Sequence, residues 1–180
     1  MTIDTSATIP VLHTARLTLR GHTLADFDES RALWADPLVT RYIGGRPFTA
    51  EEVWARLLRY AGLWALLGYG YWVVRETATG RFVGEAGLAD FHRDITPSIG
   101  GAPEAGWVLA PWAHGQGFAT EVVGAVLRWS DAHLPAQRTV CLIDPGNLAS
   151  VRVAEKCGFR QTARGVYKEQ ETLILHRPRG

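Results

Sequence analysis

The chain has 180 residues, 47% of them hydrophobic and 21% charged, which suits one soluble domain with a sizeable core. A net charge of +1, without a long basic run, gives no reason to expect nucleic acid as the primary partner. The longest apolar run, Leu63 to Leu67, is too short to cross a bilayer, and the first ten residues lack the basic and apolar parts of a signal peptide. No membrane partner is therefore expected, and the cytoplasm is the default location. Cys141 and Cys157 lie in apolar contexts without metal-ligand spacing, so both are expected reduced and buried, and no metal is expected.

Residues 1–10 are polar and expected to fray, leaving a single domain over residues 11–180. Leu12 to Leu19, with Leu17 and Leu19 alternating around Thr18, predicts the first strand. Thr23 is placed to cap a helix by accepting from the Asp26 N–H; that helix runs to about Trp34 and stops before Pro37. Asp36 to Gly45 reads as a loop. Thr49-Ala-Glu-Glu52 is a capping box that opens a second helix, with an apolar stripe of Val53, Leu57, Tyr60, Trp64 and Leu67. After Gly68 to Gly70, Tyr71–Arg75 and Arg81–Leu88 form a hairpin around Thr79-Gly80, and Asp90 to Pro103 is a loop.

The stretch from Glu104 to Glu121 organises the remainder. Trp107-Val-Leu109 is a short apolar strand, and Phe118, Val122, Val126 and Trp129 recur at about helical spacing. Between them, Gly115-Gln-Gly117 lets the backbone curl into the helix start, where unpaired N–H groups and the helix dipole favour an anion such as a pyrophosphate. Arg138–Ile143 is a strand rich in β-branched residues, so strand, helix and strand predict a parallel pair with a right-handed crossover. Asp144 to Asn147 is a turn. Leu148 to Lys156 is a short helix closed by Gly158, and Phe159–Ala163 with Glu171–His176 form a last antiparallel pair. The fold class is α/β, in the α+β sense: a mixed sheet with helices on both faces.

Gly117 is followed by Phe118, not the Lys-Ser/Thr of a Walker A loop, and Thr120 stands where a dinucleotide fingerprint needs a third glycine. His114-Gly-Gln-Gly-Phe-Ala-Thr-Glu121 instead resembles the coenzyme A pyrophosphate loop of the GNAT N-acetyltransferase superfamily, Arg/Gln-x-x-Gly-x-Gly/Ala. Gly117 and Ala119 match, and His114 departs at the first position. Asn147-Leu-Ala-Ser150, followed by Glu155-Lys-Cys-Gly-Phe159, is similar to a second segment of the same superfamily. Thr14 to Arg20 and Asp36 to Tyr42 look like its RimJ/RimL-type branch. Together these stretches cover most of residues 12–163; the part from Arg164 matches less well and looks shortened.

The resemblance implies a GNAT fold, with a mostly antiparallel sheet whose one parallel pair splays apart. It implies acetyl-CoA as cosubstrate, with no metal. The pantetheine arm would pair with the backbone of Trp107, Val108 and Leu109. The pyrophosphate would lie against His114, Gly115, Gln116, Gly117, Phe118, Ala119 and Thr120. Asn147 would hydrogen-bond the arm or an ordered water. Ser150 would sit near the sulfur and protonate the leaving thiolate. Glu104 is a candidate general base, with Glu85 a weaker one. Each has a plainer reading: Asn147 as a helix cap, Ser150 as a first-turn serine, Glu104 as a solvated strand-end charge. Trp64, Trp72 and Trp107 could line an acceptor site or simply pack, and His92 and His114 read as incidental loop residues. The expected acceptor is a primary amine, on a protein or peptide N-terminus or on a small molecule such as an antibiotic, polyamine or amino acid. Outside enzymes, the alternative is an acyl-CoA-binding sensor without turnover. A homodimer is compatible with the family.

Overall fold

Tyr71, Trp72, Val73 and Val74 are consecutive and all buried, which a strand achieves only when its sheet is covered on both faces. The computed structural model describes residues 9–180 and shows that sheet. It has eight strands: β1 Leu12–His13, β2 Leu17–Arg20, β3 Tyr71–Glu76, β4 Phe82–Ala89, β5 Glu104–Leu109, β6 Arg138–Ile143, β7 Arg160–Tyr167 and β8 Gln170–Pro178. Their order is β1-β2-β3-β4-β5-β6-β8-β7, antiparallel throughout except between β5 and β6. The helices are α1 Phe27–Ala35, α2 Pro37–Thr40, α3 Ala50–Leu67, α4 Phe118–His133 and α5 Leu148–Lys156.

Strand alternation divides the core. Val73 and Phe82 pack with Leu33, Trp34, Val39 and Val53 of α1–α3, and Tyr71 and Ala89 pack with Tyr60 and Leu63 of α3. Trp72, Val74, Ala86 and Leu88 join the larger core of Val122, Val126 and Trp129 from α4 and Ala154 from α5. Trp64, Trp72 and Trp129 meet edge to face at 4.7 to 5.5 Å, so Trp64 and Trp72 are packing residues and do not line an acceptor site.

Several local expectations change. The predicted first strand is split, because Thr14 turns the chain: its N–H donates to the Leu17 carbonyl at 2.9 Å. Pro10 is docked, its carbonyl accepting from Trp72 Nε1 at 2.8 Å, so fraying does not reach it; residues 1–8 lie outside the described residues. Thr23 caps the helix start as expected, in a capping box with Asp26, and the Asp26 N–H also donates to the Thr23 carbonyl at 3.1 Å. The Thr23 N–H and hydroxyl donate to the Asp26 carboxylate, at 2.8 and 3.0 Å, ahead of a 3-10 turn that leads into α1. Asp36 caps the single turn α2, where a loop was expected. The Thr49/Glu52 capping box forms as expected, but Leu67 is 41% exposed and Leu63 takes its place in the stripe. The last hairpin is longer than expected and turns at Lys168-Glu169, both at positive φ (50° and 66°). No glycine or asparagine marks that turn.

Asp26 also ties β2, β3 and α1 together. Burial alone would raise its carboxyl. Arg20 at 2.6 Å, Arg75 at 2.9 Å and the Thr23 donors outweigh burial and hold it well below the usual carboxylate range. A carboxyl held low in the fold, and near about 4 in the unfolded chain, contributes stability that is complete above the unfolded value and is lost as pH falls toward the folded one. Urea unfolding should therefore show an acid limb below about pH 4 that is shallower in Asp26→Asn. An equally steep limb in the variant would remove Asp26 as a source.

Candidate active site

β5 and β6 are hydrogen-bonded neighbours at one register point, Glu104 opposite Val140, where the Val140 N–H donates to the Pro103 carbonyl at 3.0 Å. Beyond it the strands diverge. Gly106, Trp107 and Val108 are left only partly buried, and their backbone edge faces a cleft of ≈ 670 Å³. Such an edge can accept an extended amide-bearing chain by strand addition. The opposite wall is Cys141 to Asp144, and Asn147 and Ser150 border the same space. Burial pushes the Cys141 thiol far up, so it stays protonated and inert.

The crossover places the N-termini of α4 and α5 beyond the C-terminal ends of β5 and β6, so both helix dipoles present their positive ends there. Gly115 and Gly117 take left-handed conformations (φ 73° and 79°) that other residues adopt only with strain. The first bond to close α4 runs from Glu121 N–H to the Gly117 carbonyl, and no side chain caps the start. The N–H groups of Phe118, Ala119 and Thr120 are thus open to an anion. His114 Nε2 lies 2.9 Å from the Leu109 carbonyl and tethers the loop to β5, so this histidine is structural. The side chains of Leu109 and Phe118 belong to the core, so these two residues present only backbone to a ligand.

Two residues of the opening hairpin hold this loop, a role that the sequence did not reveal. Glu121, in the first turn of α4, accepts from the Thr14 hydroxyl at 2.6 Å and from Arg16 N–H and Nε at 2.9 and 2.7 Å. Arg16 also donates to the Gln116 carbonyl at 2.9 Å and lies over the Phe118 ring.

Asn147 is the cap of α5, its Oδ1 accepting from the Ser150 N–H at 3.1 Å. Its amide NH₂ remains available as a donor. Glu104 is not a solvated strand-end charge. It is 5% exposed and held bidentate by Arg93, at 2.6 and 2.7 Å, while still bordering the cleft. Glu85 is excluded from the cleft lining. It is 1% exposed and accepts from Ser30, Trp34 and Tyr60 at 2.6, 2.9 and 3.0 Å. His22 Nε2 stands 3.6 Å away. Burial would raise the Glu85 carboxyl, but His22 and these donors hold it below its ordinary value.

On the α3 side, Tyr60 and Tyr71 stack at 4.6 Å and 11°, both bordering the cleft. A Cβ on Gly106 would overlap the Tyr71 hydroxyl, so only glycine lets this ring lie against β5. Burial pushes the Tyr71 hydroxyl far up, and it stays protonated.

A family model described as an acetyltransferase (GNAT) domain matches residues 16–160. The chain belongs to the GNAT acetyltransferase family. An N-acetyltransferase named p20, uncharacterized, from Bacillus licheniformis is 28% identical over 83% of this chain and 82% of its own. A structure assigned to the GnaT-family acetyltransferases, from Bordetella pertussis, is 33% identical with a TM-score of 0.82, covering 93% of this chain and 99% of that one. A spermidine N-acetyltransferase from Vibrio cholerae, in complex with CoA and spermine, shares the fold (TM-score 0.72) at 19% identity, over 92% and 97% of the two chains.

As a GNAT enzyme the protein is an acetyl-CoA-dependent acyltransferase. Its residues fit that cosubstrate: an open strand edge for the arm, open N–H groups for the phosphates, and a Gly115 whose Cβ position has nothing within 4 Å.

Proposed function

We propose that this GNAT enzyme acetylates a primary amine by direct attack in a ternary complex, with the acyl donor in the β5–β6 splay. The observation that carries the reading is the single paired position between β5 and β6, opening onto a cleft bordered by Asn147 and Ser150. Acetyl-CoA, when bound, supplies an already activated acyl thioester. The protein has to bind it, orient it and manage two protons.

In this reading the Trp107 and Val108 backbone pairs with the arm, and the Gly115 to Thr120 loop takes the pyrophosphate. Asn147 donates through its amide. The Ser150 hydroxyl, at the cleft, gives a proton to the leaving sulfur. The amine must arrive neutral. At pH 7.5 about a third of an α-amine is already neutral, against about one part in a thousand of a lysine-like amine. Glu104 is engaged by Arg93 on both oxygens and would accept the amine's proton only through water, which suits an α-amine. The resemblance of Thr14 to Arg20 and Asp36 to Tyr42 to the RimJ/RimL-type branch supports an α-amine as well.

Ser150→Ala is the test. Loss of a general acid should lower kcat by about 100-fold or more and leave acetyl-CoA affinity within about threefold. Thiol-release kinetics and calorimetry measure the two. A loss confined to affinity would make Ser150 a binding residue.

A further inference from the structure

Three arginines reach the acceptor side of the cleft: Arg56 and Arg59 from α3 and Arg93 from the loop after β4. They are i and i+3 on one helix face, joined by a loop side chain. Arg93 is engaged by Glu104. The Arg56 guanidinium carbon lies over Trp34, 3.8 Å from the ring centre, with Phe48 at 5.0 Å. Among the described residues the Arg56 Nε is buried without a partner, and the side chain's one hydrogen bond is a long one, 3.4 Å, to the Tyr60 hydroxyl. Arg59 extends over Phe91 at the rim.

Four acids and Lys168 also border the cleft, and Asp90 and Asp144 keep their charges there, but none of these acids is in ion-pair contact with Arg56 or Arg59. Asp90 accepts from the His92 N–H and Asp144 from the Gly146 N–H, at 2.9 and 2.7 Å. Glu171 pairs with Arg164 and Glu104 with Arg93. Among the described residues no carboxylate forms an ion pair with Arg56 or Arg59. A guanidinium stacked on aromatic faces is already oriented, with its N–H edge free. Arg56 and Arg59 bring to the cleft two guanidinium groups without a carboxylate partner, and an incoming anion would supply charge-assisted hydrogen bonds to them.

We propose that the acceptor is a small amine that also carries a carboxylate or a phosphate, and that Arg56 and Arg59 bind this anionic group. The inference rests on the acetyl-transfer reading above. It separates this enzyme from one that acts on polyamines, because a polycation seated beside Arg56 and Arg59 would meet two guanidinium groups that no carboxylate pairs with directly.

The test uses matched amines on the CoA-loaded protein. Ala-Asp and Ala-Glu are compared with Ala-Asn and Ala-Gln, all as C-terminal amides with a free α-amine, phosphoserine amide with serine amide, and all with spermidine. Calorimetry should show the anionic member of at least one pair binding about tenfold or more tightly than its neutral partner, and spermidine binding worst. The carboxylate and phosphate pairs show which anion fits. Arg56→Gln should reduce the ratio to within about twofold, a change in selectivity that general loosening would not produce. Should Arg56→Gln fail to fold, Arg59→Gln at the rim carries the same test. Equal or tighter binding of the neutral partners or of spermidine overturns the proposal. Thiol release with the same amines separates the two readings. Anion-selective binding without any release leaves the anion-binding role of Arg56 and Arg59 standing and defeats acetyl transfer to these amines. Release that favours neutral or polycationic amines does the reverse.

Discussion

Glu85→Ala should lower folding stability by about 3–5 kcal/mol, the range found when one member of a buried charged cluster is removed. The reason is the number of groups it would orphan. Ser30, Trp34 and Tyr60 donate to the two carboxylate oxygens, and the buried His22 ring lies beside them. Alanine offers none of them an acceptor, and a buried donor left unpaired costs about 1–3 kcal/mol. Glu85→Gln is the informative companion. Its carbonyl can face Trp34 and Tyr60 while its NH₂ meets the Ser30 hydroxyl, which can rotate to accept. Glutamine should therefore cost less than half of what alanine costs, measured by urea unfolding. An alanine variant within about 1 kcal/mol of wild type would show that the cluster is not what joins α1 and α3 to the sheet. The cluster bears on function because Trp34 and Tyr60 both border the cleft on their other side.

What the sequence made legible follows from the range of the signals. The Thr49 box, the apolar stripe of α4 and the β-branched run Arg138 to Ile143 are local patterns, and each element formed where its pattern lay. The two glycines before α4 carry a backbone requirement that is also local, and both sit at positive φ. The roles of the glutamates were not local. Glu104 and Glu85 both occupy strand positions, and their sequence neighbours do not announce Arg93 or the Ser30, Trp34 and Tyr60 donors. Those partners arrive from 11 to 55 residues away. Arg56 and Arg59 were hidden for the same reason. On a helical wheel they read as solvent charges beside the stripe. They become cleft residues because Trp34, Phe48 and Phe91, on other elements, supply the surfaces they lie on. The full length of the final hairpin is not legible in the sequence because Lys168 and Glu169 accept a conformation usually left to glycine or asparagine.

If the open start of α4 holds the phosphates of the acyl donor, as we propose, Gly117→Asp should have a large effect on cofactor affinity. Gly117 combines a left-handed backbone with an exposed position next to the unpaired N–H groups of the helix. Aspartate adds a carboxylate where a second anion must sit, and it strains the turn that aims those groups. Arg16, whose Nη2 would lie 3.5 Å from the new Cβ, is already paired with Glu121, so it offers limited compensation. The effect should be local, combining charge with strain in the turn, since a Cβ at this site meets no buried side chain. The measurement is a calorimetric titration of CoA into wild type and Gly117→Asp, with circular dichroism to establish that the variant is folded. Saturable binding to wild type that weakens by more than about tenfold in the variant, above about 1.4 kcal/mol, is the predicted result. Unchanged affinity in a folded Gly117→Asp would contradict it and place the phosphates elsewhere.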